Sequence, residues 1–87
     1  MTRPRKAALD SLIAQIGAVE KHLHKLENRS SADWQNVKLW VREIRDKVRI
    51  MESQLPHIGR KTRAEYEVLI RSFYDRLHRA SAEKEEV

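Results

Sequence analysis

The chain reads as an all-α protein, an antiparallel three-helix bundle with coiled-coil-like heptad packing. Two observations support this. First, three sets of apolar residues recur in alternating steps of three and four. They are Leu9, Leu12, Ile16, Val19, Leu23 and Leu26; Trp34, Val37, Val41, Ile44, Val48, Met51 and Leu55; and Tyr66, Ile70, Phe73, Leu77 and Ala80. That alternation draws one stripe along an α-helix, and each stripe has to be buried against another. Second, 36% of the 87 residues are charged and 40% are hydrophobic, with only two Gly and two Pro. Such a mixture suits a helical bundle and not a disordered chain.

The first helix is expected over residues 4–28. Pro4 fits its first turn, where a missing N–H costs nothing. Residues 29–31 make a short connection, and Ser30 or Ser31 can cap the second helix, with Asp33 favoured at the positive end of its dipole. The second helix is expected over residues 31–55. Pro56 stops it, because the residue before proline is pushed out of helical space. Residues 56–61 read as a loop. Thr62 and Glu65 then form a T-x-x-E capping box that opens a third helix over residues 62–82, followed by a frayed tail, 83–87. The whole of 1–87 reads as one helical domain.

Each helix is about 35 Å long at 1.5 Å per residue. Similar lengths and short connections imply an up-down-up arrangement. In that arrangement Leu9 and Leu12 lie near Met51, Leu55 and Tyr66. Ile16 meets Val41, Ile44, Ile70 and Phe73. The large Trp34 is expected to face the small Ala80. A hairpin of two long helices that dimerises into a four-helix bundle is the alternative, and the third seam weighs against it.

The chain has no Cys. Disulfides, thiolate metal sites and a Cys nucleophile are therefore excluded, and a reducing, cytoplasmic setting is expected. No run of about 18 apolar residues exists, so no transmembrane segment is expected. Arg3, Arg5 and Lys6 precede an apolar-rich stretch, but Asp10, Ser11 and Gln15 interrupt it as a signal peptide. As a basic, amphipathic transit peptide it fits better, yet it carries Asp10 and Glu20 and completes the first seam.

No Gly-rich phosphate loop, G-x-S-x-G elbow, H-E-x-x-H or paired-carboxylate arrangement appears. The expectation is a protein that is not an enzyme and has no cofactor, metal or small-molecule substrate. His22 and His24 are two apart, and helical metal pairs need a spacing of three or four. His57 falls in the loop and His78 on the third helix.

Two surface features remain. Leu39 and Ile50 fall on the outer face of the second helix and Val68 on that of the third, while Trp40, Leu69 and Tyr74 flank the seams. The plainer reading of the flanking residues is a wider core; the sharper one is a protein-binding patch anchored by Leu39, Trp40, Ile50 and Val68. Ala7, Ala14, Gly17 and Ala18 add a small-residue strip on the first helix that suits a close helix neighbour. The second feature is charge. Net charge is +5, and two basic lines stand out: Lys21, Lys25 and Arg29, then Lys38, Arg42, Arg45 and Arg49. Arg60, Lys61 and Arg63 form a further cluster. Such lines can track phosphates, or they can be ordinary solvated helix surface laced with acids such as Glu43, Asp46 and Glu52. The leading expectation is therefore a protein-interaction module, either self-associating or a subunit of a larger complex. The alternative is a nucleic-acid-binding module that uses the two basic lines.

Overall fold

Three apolar stripes on three helices demand mutual burial, and the computed structural model, which describes residues 4–85 with side chains from 5 to 81, has that form. α1 spans Pro4–Glu27, α2 spans Trp34–Gln54 and α3 spans Arg60–Glu85. Short 3-10 turns, Ser31–Asp33 and Leu55–His57, lead into and out of α2. No strand occurs among the described residues. Arg3 and residues 86–87 of the expected tail lie outside them.

The chain runs up, down and up. The end of α1 meets the later part of α3, since Glu27 pairs with Arg76 and Arg29 reaches Ala80. α1 and α2 lie closer to each other than either lies to α3. Helix spacing follows the side chains at the contact, and α3 brings Tyr66, Leu69, Phe73 and Leu77 to the interface. The bundle is a rod of 49 × 23 × 15 Å. Its radius of gyration, 14.5 Å, exceeds the roughly 12 Å of a compact domain this size.

Leu12, Val19, Leu23, Leu26, Ile44, Val48, Met51 and Phe73 are fully buried. Each such side chain contributes about 1.5–3 kcal/mol relative to an exposed one. Ile58, from the connection after the second 3-10 turn, is buried too and plugs the end of the bundle. Trp40 and Leu69 are half-buried against the core, in line with the wider-core reading, whereas Tyr74 is 39% exposed and lies outside the core cluster.

Three expectations are corrected. Trp34 does not face Ala80: it is 63% exposed, and the backbone of Ala80 is met by Arg29 instead. A straight α-helix rotates a strict heptad stripe by about 20° per heptad. Trp34 stands two heptads before fully buried Val48, so it has turned out of the core, with half-buried Val41 between them. The same drift acts on α1, where Leu9 and Ile16 sit at the core's edge and Ala8 takes the interior position.

The second correction concerns the start of α3. Thr62 and Glu65 do not cap it, because the helix begins at Arg60 and the Arg63 N–H already donates to the Gly59 carbonyl at 2.8 Å. Burial of Ile58 pins the chain, and the helix starts as soon as the backbone leaves it. The third concerns its end, since helical backbone continues to Glu85, three residues past the expected stop. The cap before α2 is formed by Ser30, whose N–H donates to Asp33 Oδ2 at 2.9 Å. Asn28 closes α1 by donating to the His24 carbonyl at 2.9 Å.

Three stability outcomes follow, each readable in urea melts followed by circular dichroism. Phe73→Ala is expected to cost about 3–5 kcal/mol, whereas Val68→Ala, at a side chain 69% exposed, stays within about 0.5 kcal/mol. A Cβ at Gly17 meets nothing within 4 Å, so Gly17→Ala is expected to add about 0.4–1 kcal/mol.

Candidate functional site

Lys38, Arg42, Arg45 and Arg49 follow one another in steps of four, three and four along α2, so they share one line on the helix. All four are exposed. Val37 and Val41 lie one residue before Lys38 and Arg42, on the side toward the core, with Val37 buried and Val41 half-buried. Between this pair and the cations runs an open groove of about 520 Å³, with Ser81 of α3 at one end and Asp46 on its outer margin. The valines form the floor and the cations the wall. Trp34 precedes Lys38 by one turn on the same flank.

The cations of this wall are not neutralised from within. Among the described residues the ion pairs are Lys47 with Glu43, at 3.5 Å, and Arg76 with Glu27, at 2.7 Å. Glu52 accepts the Tyr74 hydroxyl at 2.7 Å, and Asp33 holds the cap at Ser30. Of the four acids between residues 31 and 55, only Asp46 touches the groove. Of the acids expected to lace the basic line, Glu43 and Glu52 are thus held elsewhere, and Asp46 remains at the groove. Burial, reinforced by the hydrogen bond to Glu52, pushes the Tyr74 phenol above its ordinary 10.0, with Arg49 and Arg45 near enough to oppose the shift.

The basic line on α1 divides. Lys21 and Lys25 are exposed. Arg29 is half-buried, donating from Nη1 to the Leu26 carbonyl at 2.7 Å and from Nη2 to the Ala80 carbonyl at 3.1 Å. Its donors close the end of α1 and tie it to α3, so Arg29 belongs to the fold and not to a basic surface. Beside it, Arg76 clasps Glu27 with two bonds, Nε to Oε2 at 3.0 Å and Nη2 to Oε1 at 2.7 Å. The Arg76 hydrogen bond holds the Glu27 carboxyl below its ordinary 4.5. A smaller cleft of about 250 Å³ opens here, lined by the paired Glu27 and Arg76 with Arg79 and Ala80 beside them.

The four outer apolar positions do not converge. Leu39, Ile50 and Val68 are exposed, but Trp40 is half-buried and packs on the core. Leu39, Glu43, Asp46 and Ile50 share one line, so two acids separate the two apolar side chains, which lie about 16 Å apart. Val68 points directly away from the core on a different helix. Ala7, Ala14 and Gly17 are exposed.

The histidines stand apart. The ring of His22 lies with Nδ1 2.8 Å from the Ala18 carbonyl, to which it donates as the Nδ1–H tautomer. His24 meets Asn28, and no group of three His, Asp or Glu close enough to hold a metal occurs among the described residues. No helix among them is long and apolar enough to cross a membrane.

The valine floor, Ser81 and Tyr74 were not singled out as site residues from the sequence. The available signal was that the 38–42–45–49 line runs beside the weakening edge of the second seam. No family model, curated protein or solved structure matches the chain.

The Glu27–Arg76 pair has a pH signature. A carboxylate whose folded pKa is depressed contributes stability in full above its unfolded value, and loses it as pH falls through the folded one. Arg76→Ala is expected to cost about 0.2–1 kcal/mol at neutral pH, as exposed pairs do. That difference should shrink below pH 4.5 and vanish once Glu27 is protonated, in melts of the two proteins across the acid range.

Proposed function

We propose that this chain is a non-enzymatic protein-interaction module, a subunit or adaptor of a larger assembly, which docks a partner polypeptide in the α2 groove. The observation that carries this reading is the groove itself, in which buried Val37 and half-buried Val41 lie beside a line of exposed cations. Apolar area bordered by polar side chains is the usual anatomy of an interface, with the core supplying affinity and the rim supplying register. The chemistry available in the groove supports binding rather than turnover. Ser81 and Asp46 lie among cations and valines, with no His in the lining to activate a hydroxyl.

A second reading, nucleic-acid binding, draws on one observation: four cations without ion pairs lie in line over about 16 Å of helix. The floor between them favours a polypeptide. Valine offers bases neither a stacking surface nor hydrogen bonds.

The two readings separate in one retrieval experiment on lysate, with and without nuclease, using tagged wild type, Arg42→Glu with Arg45→Glu, and Leu39→Glu with Ile50→Glu. All four positions are exposed, so both variants are expected to keep their helicity. The expected result is a stoichiometric protein that survives nuclease, is lost with the arginine variant and is retained by the outer-face variant. Loss with the outer-face variant alone moves docking to Leu39 and Ile50. Nucleic acid in the eluate, or partners that disappear with nuclease, replaces this reading with the second one.

A further inference from the structure

Resting on the interaction reading above, we infer that the occupant of the α2 groove is an acidic amphipathic helix of a partner protein. Three features of the groove define it. The first is charge. Lys38, Arg42, Arg45 and Arg49 form a single line with no ion pair among the described residues, so the complementary surface is a line of carboxylates. A second copy of this chain is a poor candidate, since it carries +5 itself and like charge opposes association.

The second feature is the backbone. The groove is built on α2, whose N–H and C=O groups are bonded within the helix, so it offers none to a visitor. A segment that lays its main chain over Val37 and Val41 has to satisfy its own backbone, and a helix does so. An extended strand, which borrows its hydrogen bonds from a sheet edge, finds no edge here.

The third feature is dimension. From Lys38 to Arg49 the wall runs about 16 Å, or three helical turns. A partner helix of that length presents carboxylates in the same steps of four, three and four. Beside them runs an apolar line that covers Val41 and extends toward exposed Trp34, which lies on the same flank. Asp46, at the margin, asks for one basic residue on the partner.

The test is a titration of the full chain with a fluorescein-labelled peptide of three to five helical turns, carrying leucines on one stripe and glutamates in that spacing beside it. Controls are the same composition scrambled, and a single-stranded oligonucleotide of equal charge. The expected result is that the patterned peptide binds about tenfold or more tightly than its scramble, and that Arg42→Glu with Arg45→Glu removes about tenfold or more. The bound peptide should gain helicity by circular dichroism. Equal binding of the scramble overturns the helix assignment and leaves only attraction between a basic chain and acidic protein, which the interaction reading survives. Binding of the oligonucleotide in preference to the peptide overturns both. Failure of every probe to bind also overturns the helix assignment, and the nuclease-controlled retrieval then decides the interaction reading by itself.

Discussion

A stripe that repeats every 3.5 residues does not stay on one side of a helix that turns every 3.6, and most of this architecture follows from that mismatch. α2 centres its stripe on Ile44 and Val48, which are fully buried. Two heptads earlier the same stripe has rotated enough to put Trp34 in solvent, and Val41 lies between the two extremes. α1 behaves in the same way, with Leu23 inside and Leu9 at the edge. A supercoil would cancel the drift by winding the helices round each other. In α1 and α2 the N-terminal part of the stripe moves to the core's edge, and at the start of α2 this leaves Trp34 in solvent and Val41 half-buried beside the groove.

Charge completes what the drift begins. A helix surface with nearly equal numbers of acids and bases is ordinarily self-neutralising, and along α2 the acids are numerous enough for that. Their positions prevent it. Glu43 is matched to Lys47, Glu52 accepts from Tyr74, and Asp33 holds the turn before the helix. The four cations beside the valines keep their charge, and the groove combines apolar area with positive potential. Neither property alone distinguishes it from ordinary surface; a turn of valines beside a three-turn line of cations on one helix does.

The class of fold was legible because periodicity is a local property: Leu12, Val19, Ile44 and Phe73 are interior both by spacing and in the bundle. What escaped depended on chain ends and on third elements. The T-x-x-E pattern at Thr62 and Glu65 is a sound capping signal, but it could not reveal that burial of Ile58 would start α3 at Arg60. Arg29 looked like the last member of a basic line, and only the approach of α3 shows its guanidinium on the carbonyls of Leu26 and Ala80. The groove was half legible. Its cations were visible at Lys38, Arg42, Arg45 and Arg49, but its floor was hidden, because Val37 and Val41 read as plain seam residues and only the bundle shows Val41 half-exposed at the edge of the core. Leu39, Ile50 and Val68 were correctly placed on outer faces, yet sharing an orientation on each helix does not bring them together across helices.

Among the described residues the interior holds no buried polar or charged side chain. Aliphatic stripes pack almost equally well whether the third helix crosses one side of the first hairpin or the other, and these two arrangements are mirror images in topology. Something outside the core has to choose between them. The groups able to do so bridge α3 to its neighbours at fixed positions: Arg29 on Ala80, Arg76 on Glu27, and Tyr74 on Glu52. Each is geometrically specific and energetically modest. These peripheral contacts therefore give α3 fixed hydrogen-bonding positions that the wholly apolar interior does not supply.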